Sequence, residues 1–304
     1  MQNKIYEAVR NADMILIGLG EEFEGDRYLR KFPEYEKRVQ ELKDRSQDWM
    51  IPVLNTCFDP EYSEKQKEAF SNLASLVLGK NYFLVSAAAN DLIYECGLDK
   101  SRIVTPCGGW LQKQCGCQEE TAEEDSGIEE TTPQELENLK RYLSAKASDT
   151  VDSVQTSARE ATSAQNPGDE VILGTCSRCG APFVLNNVYA PNYKEAGYLK
   201  QWERYKKWLQ GTVNRKLCIL ELGVGMRFPG MIRFPFEKIA YFNRKATFVR
   251  VNATLWQLTE EIHERSLSCH QAAMDFLLEC NPDQPAEGTI TEEEEGTSNG
   301  NDIQ

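Results

Sequence analysis

Two glycine turns in the sequence have the spacing of phosphate-binding loops. Gly18 and Gly20 follow the apolar run 14–17 in "ADMILIGLGEEFEGDRY", and Gly223 and Gly225 follow a similar run in "KLCILELGVG". A Gly-x-Gly turn between a strand and a helix lets the backbone approach a phosphate, which accepts hydrogen bonds from the first N–H groups of the helix. Each turn is therefore a candidate anion-binding site, with a plain strand-to-helix corner as the alternative.

Acidic side chains crowd the first of these turns. Glu21, Glu22, Glu24 and Asp26 follow closely after Gly20. A carboxylate about 4 Å from a phosphate costs about 1 kcal/mol in water and about 4 kcal/mol in a partly shielded cleft. A helix N-terminus contributes only about 0.3–1 kcal/mol per charge in return. We therefore expect weakened phosphate binding at this turn unless Glu21 and Glu22 point to solvent.

A third candidate site consists of cysteines with the spacing of zinc ligands. Cys176-x-x-Cys179-Gly is a zinc-knuckle pattern, and Cys115 and Cys117 form a tighter second pair. Four thiolates would close a tetrahedral structural site that has no open position for chemistry. Cys107 is an alternative to one member of the tighter pair, and unrelated reduced cysteines are the alternative to a metal site.

The chain has 304 residues and a net charge of −14, but its acidity is concentrated in two segments. Residues 118–170 carry 14 acidic and four basic side chains, and residues 283–304 carry seven acidic side chains and no basic one. The remainder has a net charge of +3 and is compatible with an anionic cofactor. Because this positive charge is small, a nucleic-acid ligand is not expected.

Cysteine content and the N-terminal segment predict a cytoplasmic protein. The ten cysteines suit a reducing compartment, and the charged segment "MQNKIYEAVRNAD" is unlike a signal peptide. No stretch of the sequence reaches the roughly 18 apolar residues that a membrane helix requires. We therefore expect no membrane partner.

Short apolar runs alternate with amphipathic stretches along the chain. The predicted strands are residues 14–17, 81–88, 101–106, 216–225 and 246–253. The predicted helices are residues 1–11, 34–46, 62–78, 132–146, 194–210 and 257–279. Short apolar strands separated by helices predict an α/β fold with a doubly wound parallel sheet, which binds ligands at the carboxyl ends of its strands.

The predicted organisation is a Rossmann-like domain interrupted by a small zinc-ribbon domain. Its parts are residues 1–112 (Rossmann-like, first part), 113–193 (zinc ribbon, with a flexible acidic insertion at 118–170), 194–280 (Rossmann-like, second part) and 281–304 (disordered acidic tail). Within the insertion, Leu136, Leu139 and Leu143 share one face of the predicted helix. Such a face suits a helix-in-groove contact with a protein partner.

Together these blocks resemble the sirtuins, and most closely a bacterial branch of that family. The resemblance covers about residues 12–118 and 170–270, and its most specific part is "LELGVGMRFPGMIRFPF", followed by "ATFVRVNA". The order of "NYFLVSAAANDLIYECGLDKSRI", "CGGWLQKQC" and "CSRCGAPFVLNN" also matches the family. The resemblance implies NAD as cofactor, a structural zinc ion, and either protein deacylation or ADP-ribosyl transfer.

The resemblance also implies that the catalytic positions are degenerate. Ala88 and Asn90 stand where the family has the Asn and Asp that place the nicotinamide end, and Cys107 stands where deacylases have a histidine base. A shift by one residue would pair Asn90 with Asp91 but would not restore the spacing. Cys107 is then a spare thiol or a zinc ligand rather than a nucleophile. Two histidines lie in the predicted closing helix, away from the cleft: His263 and His270.

By the same resemblance, the adenosine half of the pocket is better retained. The cofactor-binding residues that it implies are Gly18, Gly20, Gly223, Gly225 and Asn252. Asn252 is expected to contact the ribose. Arg227 and Arg233 add positive charge near the diphosphate, although Arg233 fits a surface position equally well.

Two functions are consistent with these features. The first is a sirtuin-like protein that binds NAD or ADP-ribose, with deacylation of an acylated protein or ADP-ribosyl transfer weakened or lost. It requires an open crevice at the strand ends rather than one filled by Glu21 and Glu22. The second is a non-catalytic zinc-ribbon scaffold that recruits a protein partner through residues 132–146.

Overall fold

The computed structural model of the chain describes residues 1–115, 127–148 and 172–280. The strands in these ranges are β1 (Met14–Leu19), β2 (Asn81–Ser86), β3 (Ile103–Val104), β4 (Gly108–Gln114), β5 (Ile128–Glu130), β6 (Val184–Asn187), β7 (Leu217–Leu222), β8 (Thr247–Val251) and β9 (Ser266–Cys269). The α-helices there are α1 (Gln2–Asn11), α2 (Asp26–Leu29), α3 (Pro33–Asp44), α4 (Ile51–Phe58), α5 (Pro60–Leu76), α6 (Pro133–Ser148), α7 (Ala196–Gln210), α8 (Arg233–Phe242) and α9 (Ala273–Leu278). The predicted tail and much of the predicted insertion lie outside the described residues.

Six parallel strands form the main sheet, in the order β3-β2-β1-β7-β8-β9. Every residue of β1 and of β7 is buried, in agreement with the apolar runs in the sequence, and the buried set includes the charged Glu221 of β7. Strands are added towards one edge after β1 and towards the other edge after β7, so the strand order reverses between them. The two strands end in register, with Leu19 opposite Leu222. Both glycine turns therefore begin at this switch point, where open α/β sheets bind ligands.

Helices cover both faces of the main sheet, and alternate strand residues point into two cores. Ile15 and Ile17 of β1 join the core that contains residues of α1, α3, α4, α5 and α9. Met14 and Leu16 join the core on the other face, with residues of α7 and α8. The predicted doubly wound α/β architecture is thus confirmed. None of the helices in the described ranges combines the length and apolar character needed to cross a membrane.

A second sheet of three antiparallel strands, in the order β5-β4-β6, lies in the interrupting segment. It begins at Gly108, ahead of the predicted domain boundary at residue 113, and that boundary stays a prediction. The helix predicted in the insertion is present as α6, which packs against α4. Its Leu139 and Leu143 are buried in the core of the main domain. This apolar face is covered within the chain, so it is not free for the helix-in-groove contact predicted from the sequence.

The single closing helix predicted for residues 257–279 is wrong. Residues 263–265 form a 3-10 turn, which β9 and the short helix α9 follow. Strand β9 pairs with β8 in parallel, from Ser266 opposite Phe248 to Cys269 opposite Val251. The apolar spacing of this stretch permits a helix, but hydrogen bonds to the open edge of β8 favour a strand, and tertiary pairing outweighs local propensity.

Candidate functional site

The two glycine turns pack directly against each other at the switch point. A Cβ atom on Gly20 would lie 2.1 Å from the carbonyl oxygen of Gly223 and 2.2 Å from Cα of Val224. A Cβ atom on Gly18 would lie 2.5 Å from Cγ2 of Ile232, just before α8. Gly223 has a φ of 62°, in the left-handed region that favours glycine. Close packing of protein on protein therefore requires these glycines.

The backbone of the second turn binds the carboxylate of Glu21. Its Oε2 accepts a hydrogen bond from the N–H of Gly225 at 2.7 Å. Its Oε1 accepts from the N–H groups of Arg227 at 3.0 Å and Phe228 at 3.3 Å. Converging backbone N–H groups of this kind form anion-binding concavities. The second turn is thus an anion cradle, and the anion that it holds is a side chain from the first turn.

Glu22 extends towards α9 rather than into solvent. Its Oε1 accepts a hydrogen bond from the N–H of Met274 at 3.1 Å, and a Cβ atom on Gly223 would lie 2.7 Å from Cβ of Glu22. Burial raises the pKa of Glu22, and the N–H groups of Met274 and Ala273 partly oppose this effect. The expected open crevice between the turns is occupied in this structure by Glu21 and Glu22, because free N–H groups at turns and helix starts require acceptors. Nucleotide binding at this point therefore requires these two side chains to move.

A buried carboxylate joins several elements beside the cradle. Glu24 is only 3% exposed. It accepts hydrogen bonds from the guanidinium of Arg227 at 2.8 Å, the hydroxyl of Tyr189 at 2.6 Å and the N–H of Ala89 at 3.2 Å. Burial raises the pKa of Glu24, and Arg227 opposes the rise. The sequence indicated a positive charge at Arg227 and placed Glu24 among the acidic residues after the first turn. It gave no signal for Tyr189 or for the pairing of these residues, since no local pattern links positions so distant in the chain.

The three positions implied to be degenerate carry no free catalytic group. Ala88 is buried and offers only a methyl group. The amide of Asn90 donates to the carbonyl of Phe23 at 2.8 Å and accepts from the N–H of Leu92 at 3.0 Å, so it caps the turn that follows. Cys107 is fully buried in the apolar core of the main sheet, and burial raises the pKa of its thiol. A thiol that stays protonated is a poor nucleophile.

Two polar residues near the second turn hold its backbone in place. The side chain of Asn252 donates to the carbonyl of Val224 at 2.9 Å and accepts from the N–H groups of Thr254 and Leu255 at 2.9 and 2.8 Å. Arg233 is buried rather than at the surface, and it donates to the carbonyls of Val224 and Leu255 at 3.0 and 2.8 Å. A ribose contact by Asn252 stays a prediction, and it would involve an amide already engaged in these bonds.

Paired charges anchor the strand that leads into this turn. Glu221, fully buried at the end of β7, accepts from Nε of Arg250 at 2.6 Å and from Arg233 at 3.3 Å. Arg250 also pairs with Glu237 at 2.6 Å. Burial raises the pKa of Glu221, and Arg250 and Arg233 oppose the rise. Since buried charges are stable only when they are paired, this cluster fixes β7 against β8 just below the cradle.

The two histidines lie at opposite ends of β9 instead of in a helix. His263 precedes the strand, in the 3-10 turn, and is exposed. His270 follows the strand, and its Nε2 lies 2.9 Å from the carbonyl oxygen of Ala253. Its ring stacks on Trp256 with a centroid distance of 5.3 Å. His270 is thus at the carboxyl edge of the sheet, beside the loop that follows β8, whereas the sequence prediction placed it in a helix.

Three of the four cysteines predicted to bind zinc lie together. The sulfur atoms of Cys115, Cys176 and Cys179 are all within 4.8 Å of one another. Thiolates on one zinc ion lie about 3.8 Å apart, given Zn–S bonds of about 2.3 Å in a tetrahedron. A Cβ atom on Gly127 would lie 3.0 Å from Sγ of Cys115, so glycine leaves room for this sulfur. The group could form a zinc site, and the fourth predicted ligand, Cys117, lies outside the described residues.

No protein-family model matches the chain. A protein ADP-ribosyltransferase of Staphylococcus aureus strain Mu50 is 20% identical to it over 290 residues, which cover 86% of this chain and 80% of that protein. Solved structures that are similar to the chain include Sir2Tm bound to a propionylated peptide, with 10% identity, coverage of 91% of this chain and 95% of that one, and a TM-score of 0.48. They also include a Sir2 homologue in complex with NAD, with 14% identity, coverage of 91% and 93%, and a TM-score of 0.44. Sir2 homologues are sirtuins, the family that the sequence resembles.

Proposed function

We propose that the chain is a sirtuin-like protein that binds ADP-ribose or NAD at the switch point between β1 and β7. In this proposal the family's protein deacylation and ADP-ribosyl transfer are weakened or lost. The similarity to a protein ADP-ribosyltransferase over 86% of the chain supports the choice of nucleotide. An acylated protein is the substrate class that goes with the family's deacylase activity.

The anion cradle of the second turn is the observation that carries the proposal. Its N–H donors at Gly225, Arg227 and Phe228 hold the two carboxylate oxygens of Glu21. Diphosphate oxygens use the same kind of donor. A bound diphosphate would take the place of the Glu21 carboxylate, which must rotate away because two anions within about 4 Å repel each other. Nucleotide binding is thus a competition with a side chain of the protein.

The side chains at the positions implied for the nicotinamide end do not fit the nicotinamide half of NAD. When bound, NAD supplies a glycosidic bond whose cleavage releases nicotinamide. The side chain of Ala88 cannot form a hydrogen bond, and the side-chain amide of Asn90 already bonds to the backbone of Phe23 and Leu92. The Cys107 thiol is buried and protonated. These side chains provide no base and no polar group for bond cleavage. We therefore expect binding without efficient turnover.

The cysteine group fits a structural zinc ion with no catalytic role. In this proposal Cys115, Cys117, Cys176 and Cys179 hold the metal, and three of these sulfurs are already close together. Four thiolates leave no coordination position for a substrate. The ion would tie the end of β4 to the segment that leads into β6.

Calorimetric titration of ADP-ribose and NAD tests the nucleotide proposal. Wild type is compared with Glu21→Gln, which keeps the size of the side chain and removes its charge. Glu34→Gln, at an exposed position in α3, is the control for net charge. We expect Glu21→Gln to bind ADP-ribose about tenfold more tightly than wild type, since the competing charge is gone. The control variant should bind like wild type.

Absence of binding of either nucleotide to all three proteins at millimolar concentration would overturn the proposal. A parallel assay measures nicotinamide release from NAD, with and without acylated peptides. We expect release at the level of the buffer control. Steady release above that level would show that the degenerate positions still support cleavage.

A further inference from the structure

A separate cavity of about 150 Å³ lies between the start of β4 and helix α7. It is lined by residues of the turn after β2, of β4 and the loop before it, and of α7 and the loop before it. It shares none of its lining residues with the Glu21 cradle. Leu111 at its rim is 42% exposed, so the cavity reaches the surface. Among the described residues that line it, Asp91 is the single charged one.

The carboxylate of Asp91 is buried, and no cationic side chain among the described residues pairs with it. Asp91 is only 3% exposed. Its Oδ2 accepts hydrogen bonds from the N–H groups of Trp110 at 2.5 Å and Leu111 at 2.8 Å. Both of these bonds are made by Oδ2, and Asp91 is one of the residues that line the cavity. Buried carboxylates are normally paired, and an unpaired one carries a large desolvation cost. The negative charge of Asp91 is therefore available to a ligand in the cavity.

Backbone groups of β4 determine the position of the Asp91 carboxylate. A Cβ atom on Gly109 would lie 2.1 Å from Oδ2 of Asp91 and 2.5 Å from its Oδ1. Glycine at residue 109 thus makes room for the acid, and two consecutive N–H groups of β4 orient it. Burial raises the pKa of Asp91 to about 6, so the group is still mostly ionised at neutral pH.

Aromatic rings supply the second feature of the cavity. The rings of Tyr193 and Tyr198 stack with a centroid distance of 6.5 Å and an interplanar angle of 19°. The hydroxyl of Tyr193 donates to the carbonyl of Pro106 at 2.7 Å, and that of Tyr94 lies 3.2 Å from Oγ1 of Thr105. These hydroxyls are engaged within the protein. The rings themselves remain as lining, and the faces of such rings attract cations.

We propose that this cavity binds an organic cation, the ammonium or guanidinium end of an amine or of a basic side chain, with Asp91 as the counter-charge. A cavity of about 150 Å³ holds a molecule the size of benzene. Both an ammonium group and a guanidinium group are smaller than benzene. A divalent metal ion is a poorer match, since calcium and magnesium require several oxygen ligands and only one carboxylate lines the cavity. The inference is independent of nucleotide binding.

The test titrates methylguanidine and n-propylammonium into the full-length protein and follows backbone amide signals by NMR. N-methylurea, a neutral molecule of the same shape as methylguanidine, is the control ligand. We expect saturable shifts of the Trp110 and Leu111 amides with at least one of the cations, and none with N-methylurea. The cation that binds identifies the class of basic group, guanidinium or ammonium.

Variants then test the role of the charge. Asp91→Asn keeps the shape of the side chain and should weaken cation binding about tenfold. Glu34→Gln, at an exposed position in α3 that does not line the cavity, should leave it unchanged. If Asp91→Asn does not fold, Tyr198→Leu decides, with an expected loss of affinity of about threefold. Equal affinity for N-methylurea, or unchanged cation affinity in the folded variant, would overturn the inference.

Discussion

The Oε2 atom of Glu21 lies 2.7 Å from the backbone nitrogen of Gly225, although 204 positions separate the two residues in the chain. The second glycine turn is therefore satisfied by an anion that the protein itself supplies. The contact explains why the sequence has both a second glycine turn suited to binding phosphate and acidic residues after the first glycine turn. The acid of the first turn is the anion that the second turn binds. It also means that an external anion must displace Glu21 before it can bind.

The contact between the two turns predicts that one added methyl group destabilises the fold. Gly20→Ala would place a Cβ atom 2.1 Å from the carbonyl oxygen of Gly223. Relief would require a backbone shift at the ends of β1 and β7, so we expect the free energy of unfolding to fall by about 2–3 kcal/mol. Denaturant titration measures it. Gly230→Ala is the matched control, because a Cβ atom there meets nothing within 4 Å. Equal stability of the two variants would argue against the close packing.

The buried charge cluster predicts a large cost when one partner is removed. Arg250→Gln would leave Glu221 buried with only the longer contact to Arg233. We expect the free energy of unfolding to fall by about 3–5 kcal/mol, the usual cost of an uncompensated buried charge. Lys67→Gln removes a partner from an exposed ion pair and should change stability little. A similar small effect of both substitutions would show that Glu221 is not held as an ion.

Asp91 predicts a stability that falls as pH rises. Burial raises its pKa to about 6 from the ordinary value of 3.8. Between these values the folded protein holds a proton that the unfolded chain has released, so the free energy of unfolding decreases with increasing pH. The extra stability is complete below about pH 4 and is lost above about pH 6.

Asp91→Asn isolates this effect, because other titrating groups cancel in the difference between the two proteins. We expect the stability of wild type relative to the variant to fall by roughly 3 kcal/mol as pH rises through this window. Denaturant titrations at several pH values measure the difference. A difference that stays constant with pH would mean that Asp91 does not titrate there.

The cysteine group predicts one bound zinc ion per chain. Cys176→Ser should abolish zinc binding and lower stability, because the metal contributes folding free energy through its ligands. Cys57→Ser, at a half-buried cysteine outside the group, should retain the metal. Metal analysis of purified proteins measures both. Retention of zinc by Cys117→Ser would assign the fourth ligand to another residue, and zinc-free wild type would remove the site.

The central strands could be predicted because their local signal is strong. Predicted strands at 81–88 and 246–253 correspond to β2 and β8, and burial on both faces explains why most of their residues are apolar. The closing helix at 257–279 could not be corrected locally, since β9 forms only where the edge of β8 offers it partners. The cysteine spacing likewise brought Cys115, Cys176 and Cys179 into one prediction, and their sulfurs do lie together.

The amino-acid sequence alone determined the apolar strands, the two glycine turns and the two cysteine pairs, because each depends on residues that are neighbours in the chain or repeat with a short period. Tertiary structure alone decided how Glu21, Glu24 and Asp91 are used. Their partners are N–H groups and side chains far along the chain, and the direction of a carboxylate follows from whichever donors the fold brings within about 3 Å. The direction of the Glu21 carboxylate decides whether the second turn is open to a phosphate or is occupied by a side chain from the first turn.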